Sequence, residues 1–274
     1  MLHITRKGDC GFHYLQSLIT FLGNGDQINV RESSEWCLNV DGPFSGSLPI
    51  DGNLVLKTVE WLRGLYPKHP KAHIRLSKNL PLSSGIGGGS SDAAAAIVAL
   101  LDLWNVELNE SQKIDLIKLS GSLGADVPVC LAHHLLKRNF FWIDGTGKEG
   151  TPVSLWKEEP QIHILLVNPG ISVSTPNIFR AYNKAYDNTV SPPVGHEELL
   201  DFLRKAKNSL TFAACELVPE ISEVLKMLSD TPDCLLARMS GSGATCFGIY
   251  ESAYHCKNAQ HIIKKAHPEW WVMS

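Results

Sequence analysis

Apolar and polar positions alternate in short bursts through the first fifty residues, which read as strands. Leu2 to Thr5 is a short first strand. Gly11 to Leu15 follows a polar turn, and Gln27 to Val30 with Trp36 to Val40 reads as a hairpin. Asp51-Gly52-Asn53 then opens a helix through Leu65, with Val55, Val59 and Leu62 on one face. Ala72 to Ser77 alternates apolar and polar residues, as a half-buried strand does. It runs into a glycine-rich stretch and then an alanine- and leucine-rich segment with no glycine or proline before Trp104. That segment is a strong helix, for which Ser90 or Ser91 would serve as the N-cap.

The pattern continues with a helix over Glu110 to Leu119, a turn at Gly124 to Pro128 and a strand at Asn139 to Ile143. Pro152 to Pro160 has two prolines, several charges and no periodicity, and marks a domain boundary. It divides the chain into domains over 1–152 and 153–274. Beyond it Ile162 to Val167 is a buried strand. Thr175-Pro176 starts a helix, threonine at the cap and proline at N1, that carries Phe179 and Tyr182. Ser191-Pro192-Pro193 is a loop. Helices follow near Glu197–Lys205, Ser209–Leu217 and Glu220–Leu228. Leu235–Met239 and Thr245–Tyr250 are strands joined by Ser240-Gly241-Ser242-Gly243, with a helix over Ala253–Ala266 and a strand at Trp270–Met273 behind them. Strands and helices mix without strict βαβ alternation, so the class is α+β in two subdomains.

Composition narrows the function. The chain has 274 residues, 44% hydrophobic and 19% charged, with a net charge of −3. Nothing in that balance points to a nucleic-acid or acidic-membrane partner. The longest apolar run, Ala93 to Leu101, is far short of a membrane span, and Met1 to Lys7 is no signal peptide. The seven cysteines form no C-x-x-C pair, which reads as reduced thiols in a cytoplasmic protein. His133-His134 lacks a second cluster, so no metal framework is expected.

The chemistry concentrates at Pro81-Leu82-Ser83-Ser84-Gly85-Ile86-Gly87-Gly88-Gly89-Ser90-Ser91, with four glycines in five positions. Ordering four glycines costs roughly 2–4 kcal/mol relative to alanine. Glycines expose backbone N–H groups, and a helix N-terminus adds partial positive charge. Together they cradle phosphate. The plainer reading is a flexible turn before a helix. The stretch is no Walker A loop, which needs a lysine and Ser/Thr after its last glycine. It is no dinucleotide fingerprint either, because Ser90 stands at the third glycine position.

The stretch resembles the Pro-x-x-x-Gly-Leu-Gly-Ser-Ser-x-Ala signature of the GHMP kinases. Its Gly-Gly-Gly-Ser-Ser form is most similar to the 4-diphosphocytidyl-2-C-methyl-D-erythritol kinases of the non-mevalonate isoprenoid pathway. Further stretches match in the right order. Gly124-Ala125-Asp126-Val127-Pro128 resembles the segment that carries the family's catalytic aspartate, although Asp126 could simply cap a following helix. Ser240-Gly241-Ser242-Gly243-Ala244-Thr245 is similar to the family's C-terminal glycine loop, although a hairpin loop would look the same. Phe12-His13 and Thr175-Pro176-Asn177-Ile178-Phe179 match the places where two aromatic rings hold cytosine and a histidine bonds its edge. Core aromatics and a satisfied histidine are the plainer reading there.

The resemblance implies a two-subdomain GHMP kinase fold. Its N-terminal domain would bind ATP and its C-terminal domain would be ferredoxin-like. It implies ATP and Mg²⁺, with Pro81 to Ser91 around the ATP phosphates and Asp126 as base. Phe12, His13, Phe179, Gly241 and Ser242 would meet a substrate with a cytidine diphosphate moiety. A monomer or weak homodimer is expected. A mevalonate-type kinase is the alternative within the family. Three departures stand out. Cys10 replaces the usual aspartate of Asp-Gly-Tyr-His. Gly145-Thr146-Gly147-Lys148 replaces Gly-x-Gly-Glu. The family's first strand, Ala-Lys-Ile/Leu-Asn-Leu, would precede Leu2 and brings a lysine beside the catalytic aspartate. On that ground the sequence as written is expected to bind ATP but catalyse poorly, unless Lys7 or Lys148 substitutes. A nucleotide-binding protein without turnover is the alternative from another class.

Overall fold

The computed structural model describes residues 1–8, 13–48, 52–146 and 152–274. Cys10, Phe12, Gly147 and Lys148, singled out above, lie outside the described residues, as does Asp51 at the expected start of the first helix.

In chain order the first strands are β1 (Leu2–Lys7), β2 (His13–Thr20), β3 (Gln27–Glu32) and β4 (Cys37–Asp41). Then come α1 (Leu54–Leu65), β5 (Ala72–Ser77), α2 (Gly88–Leu103), α3 (Glu110–Leu119) and α4 (Val127–Leu136). β6 (Phe140–Gly145), β7 (Val153–Ser154), β8 (His163–Asn168) and α5 (Thr175–Ala181) follow. The chain continues through α6 (Leu199–Lys205), α7 (Thr211–Leu217) and α8 (Glu220–Asp230). It closes with β9 (Cys234–Met239), β10 (Cys246–Tyr250), α9 (Ala253–Ala266) and β11 (Trp271–Met273).

These elements form two compact units that are not consecutive in sequence. One comprises Met1–Leu18, Ser83–Ile86 and Trp156–Ser274; the other comprises Ile19–Leu82 and Gly87–Leu155. In the first unit β8–β11 form an antiparallel sheet in the order β11-β8-β10-β9. Its core joins Leu165, Val167, Val224, Leu228, Tyr250 and Ile263, all almost fully buried. β1 pairs antiparallel with β2 from Leu2↔Ser17 to Lys7↔His13. The other side of β1 is held by backbone bonds from Leu2 to Lys207 and from Ser209 to Leu2, at 3.1 and 2.9 Å.

In the second unit the expected hairpin of β3 and β4 does not form. β5 lies between them, antiparallel to β3 and parallel to β4. α1 is the crossover that a parallel pair requires. Ile74 and Leu76 are buried on β5, which explains why the strand of this segment with the most apolar face takes the centre. α1 starts at Asn53, whose side chain accepts from Val55 N at 2.8 Å. α3 carries a full capping box between Asn109 and Gln112.

α4 is a second departure. The stretch after Asp126 is a helix that carries His133 and His134 in its last turn. His133 stacks on Phe21 with ring centroids 4.2 Å apart, and burial drives the imidazole of His134 down to about 4. α2 packs against α1, α4, β3 and β5, burying Ala93, Ala94, Ala96, Ile97, Leu100 and Leu101. Small alanines let neighbouring elements approach closely, while Ile97 and Leu100 fill the gaps between them. Leu100→Ala should therefore cost about 2–5 kcal/mol of stability, read as a lowered urea midpoint at unchanged slope.

Among the described residues no helix is long and apolar enough to cross a membrane. The described cysteines are all free thiols.

Candidate active site

The glycine-rich stretch divides at Ile86. Ser83 to Ile86 belong to the first unit, where three bonds fix them. Val173 N donates to Ser83 O at 2.9 Å, Thr245 N to Ser84 O at 3.1 Å and Ser240 Oγ to Gly85 O at 2.9 Å. Gly85 has φ +75°, and a Cβ there would stand 2.5–2.6 Å from Ser240 O and from the N and O of Gly243. Only glycine combines that backbone with that approach. Two glycine-rich segments far apart in sequence, Ser83–Ile86 and Ser240–Gly243, are thus brought together in one unit.

Asn208 supports this junction, and sequence reasoning missed it. Its buried side chain donates to Met239 O at 2.9 Å and to Gly241 O at 2.8 Å, and accepts from Leu210 N at 3.0 Å. Asn168 Nδ2 donates to Thr245 Oγ1 at 2.9 Å, and Thr175 Oγ1 lies 2.8 Å from Ser242 Oγ. Thr175 was expected to cap α5. It is instead inside the helix, Ser174 is the N-cap residue, and the Thr175 hydroxyl meets the second glycine loop.

In the second unit α2 begins earlier than expected. Its N-cap is Gly87, in the left-handed region at φ +68°, and Gly88, Gly89, Ser90 and Ser91 form the first turn. The serines are therefore not caps. Glycine takes this conformation without the Cβ penalty, which lets the helix start three residues sooner than a serine cap would allow. The first N–H groups of a helix have no partner within it, so the glycine-rich turn presents them at the positive end of the helix dipole.

Asp126 stands at the N-cap position of α4, yet its carboxylate accepts no bond from the first turn. The capping role weighed from the sequence does not hold. Asp126 is exposed as a residue, while desolvation by the protein packed around its carboxylate raises it above the usual carboxylate range. On the same helix, the Cys130 thiol is pushed up by burial, then by Asp126 and Asp92, so both carboxylates act on it.

Lys78, Asp26 and Asp92 form a buried ionic cluster that sequence reasoning also missed. Lys78 Nζ donates to Asp92 Oδ2 at 2.8 Å and to Asp26 Oδ2. Asp26 Oδ1 accepts from Asn79 N at 2.6 Å and Leu80 N at 2.9 Å, which fixes the approach to Pro81 and Leu82.

His13, Phe179 and Tyr182 meet in the first unit. The His13 and Phe179 rings stack with centroids 5.4 Å apart, and Tyr182 meets His13 edge-on at 6.2 Å. Burial, then the charge of Lys7, lowers the pKa of His13. Its imidazole is therefore neutral at pH 7, with one donor and one acceptor nitrogen. The segment after Tyr182 is held to β1 through Asp187, whose carboxylate accepts from Ile4 N at 3.0 Å, Lys207 Nζ at 2.7 Å and Ser209 Oγ.

Two family models match the chain: the GHMP kinases N terminal domain over residues 53–134 and the GHMP kinases C terminal domain over 196–269. A 4-diphosphocytidyl-2-C-methyl-D-erythritol kinase of Cereibacter sphaeroides (strain ATCC 17029 / ATH 2.4.9) is 40% identical over 280 residues, spanning 99% of this chain and 93% of that protein. The protein of the same name in Paramagnetospirillum magneticum is 38% identical over 274 residues, spanning 99% and 92%. A crystal structure of 4-(cytidine 5'-diphospho)-2C-methyl-D-erythritol kinase matches with a TM-score of 0.76 at 27% identity, covering 99% of this chain and 93% of that one. A homoserine kinase from Cytophaga hutchinsonii shares the fold, with a TM-score of 0.68 at 17% identity over 100% and 93% of the two chains. With its glycine segments, its uncapping aspartate and its full-length likeness in hand, the chain belongs to the GHMP kinases, in the family of the 4-diphosphocytidyl-2-C-methyl-D-erythritol kinases.

Proposed function

We propose that this chain transfers the γ-phosphoryl group of ATP to the 2-hydroxyl of 4-diphosphocytidyl-2-C-methyl-D-erythritol. Asp126 carries the reading. It is a carboxylate at a helix start that caps nothing, in a family of kinases that phosphorylate alcohols. A neutral alcohol attacks phosphorus poorly, and a positioned carboxylate accepts its proton as the new P–O bond forms. The raised pKa of Asp126 suits a base more than an ordinary surface carboxylate would.

In this reading the backbone N–H groups from Ser83 to Ser91 hold the ATP phosphates, with Pro81 and Leu82 as the fixed lead-in. Gly241 and Ser242 meet the reacting end of the acceptor. Mg²⁺ enters on the nucleotide's own phosphate oxygens, the ligands it prefers, and neutralises charge there. Residues 1–152 are taken as the nucleotide-binding part of the sequence and 153–274 as the second domain. The reduced cysteines fit a cytoplasmic setting, and a monomer or weak homodimer is the working assembly.

The cytosine is assigned to Phe179, with His13 at its edge. A neutral imidazole offers the donor and acceptor that a pyrimidine edge needs. Phe179→Ala should raise the KM for the cytidine substrate by about 5- to 150-fold, the loss of one stacking face worth about 1–3 kcal/mol. The KM for ATP should not move. CDP should compete with the acceptor in the parent enzyme and lose that effect in Phe179→Ala. If Phe179→Ala loses thermal stability but keeps its substrate KM, Phe179 is a core residue and the cytosine assignment fails. No inhibition by CDP would favour a mevalonate-type kinase, which has no base to hold.

A further inference from the structure

The cluster of Lys78, Asp26 and Asp92 has a charge imbalance. The three side chains are 2%, 4% and 6% exposed. One ammonium serves two carboxylates, so the fully ionised cluster holds a net charge of −1 away from water. Asp26 is committed as an acceptor, with two backbone N–H groups on one oxygen and Lys78 on the other. Asp92 meets Lys78 and the Asp26 carboxylate, and accepts from no backbone N–H among the described contacts. Asp92 is therefore the member that takes a proton.

Among the described residues no second cation comes from the elements packed around it, and burial keeps His134 of α4 neutral. Cys130 of α4 faces Asp92, and burial keeps its thiol neutral. Asp126 at the start of α4 adds negative charge on that side. The charged residues of α1, β3 and β5, namely Lys57, Glu60, Arg63, Arg31, Glu32 and Arg75, are exposed. The cluster lies directly against the first turn of α2. A Cβ built on Gly88 would stand 3.7 Å from both Asp26 Oδ2 and Lys78 Nζ.

We propose that Asp92 takes up a proton when the phosphates of an adenine nucleotide bind at the N-terminus of α2, so that nucleotide binding by this chain is linked to pH. This rests on the reading that the Pro81–Ser91 stretch holds those phosphates. Burial first, opposed by Lys78 and reinforced by Asp26, pushes the Asp92 carboxyl up to about 7, where a small added field changes its occupancy. Incoming negative charge favours the protonated form. By reciprocity, the proton on Asp92 favours the nucleotide. Below the Asp92 titration range the cluster is neutral and affinity is high. As pH rises through the Asp92 range the cluster becomes negative and affinity falls, by about three- to tenfold for a shift of half to one pH unit.

The test is calorimetry of MgADP binding to the full chain near pH 7, in two buffers of different ionisation enthalpy, for the parent and Asp92→Asn. The nucleotide's own ionisation is common to both proteins and cancels in their difference. The parent should take up about 0.2–0.5 proton more per nucleotide than Asp92→Asn. Its Kd should also weaken about three- to tenfold from pH 6 to 8.5 relative to the variant. Equal proton uptake in the two proteins overturns the inference, even if the variant melts at a lower temperature. Should Asp92→Asn fail to fold, zero net uptake by the parent overturns it alone. Absence of MgADP binding to the parent overturns the nucleotide reading as well, whereas binding without Asp92-dependent uptake overturns only the inference.

Discussion

Asp126→Asn should lower turnover by about 10²–10⁴-fold, the usual worth of a general base, while ATP affinity stays within about twofold. The asparagine is isosteric and the carboxylate caps no N–H of α4, so the helix start should survive the change. Fold and chemistry are thus separable at this residue. The pH profile gives a second readout. Only the ionised carboxylate accepts a proton, so kcat/KM should fall as pH drops through the Asp126 pKa. Desolvation raises that pKa, so the acid limb should lie above the ordinary carboxylate range. In Asp126→Asn the limb should be absent. Turnover within about tenfold of the parent would remove Asp126 from the chemistry.

Gly85→Ala should destabilise the fold by about 1–2 kcal/mol through the left-handed φ alone, and the KM for ATP should rise with the displaced loop. The steric term adds to this, because the new Cβ would meet backbone atoms of Ser240 and Gly243 at 2.5–2.6 Å. Backbone cannot swing aside as a side-chain tip can, so the two glycine segments must part. Gly89→Ala is the control. It has no positive φ and nothing within 4 Å of a built Cβ, so its thermal midpoint should match the parent's. An ATP KM that is unmoved by Gly85→Ala would mean that the junction of Ser83–Ile86 with Ser240–Gly243 plays no part in holding the nucleotide.

Much of this molecule was legible in its residues because the signals are local. α3 runs over Glu110–Leu119 and α9 over Ala253–Ala266, as the sequence pattern indicates. The β3–β4 pairing was misread because strands close in sequence usually pair, and nothing local reveals that β5 will insert between them through a crossover helix. Gly124 to Pro128 reads as a turn because glycine and proline are strong punctuation, while Asp126 and Pro128 also read as the start of a following helix; the structure takes the second reading. The start of α2 was placed at the serines because serine is the common cap; the left-handed Gly87 does that work. The site was legible where it repeats a family motif and illegible where it depends on contacts distant in sequence. Asn208 reads as an ordinary residue before a helix, and only the fold aims its amide at Met239 and Gly241. Lys78, Asp26 and Asp92 are three unremarkable charges in sequence, and their meaning comes from burial together.

The most direct test of the whole account is ADP release by the full chain with MgATP and a panel of acceptors: 4-diphosphocytidyl-2-C-methyl-D-erythritol, mevalonate and homoserine. Saturable, if slow, turnover with the diphosphocytidyl acceptor is expected, with loss of that turnover in Asp126→Asn and only background ADP release with the other two. Turnover of mevalonate or homoserine in its place, or nucleotide binding with no acceptor-dependent ADP release, would contradict it.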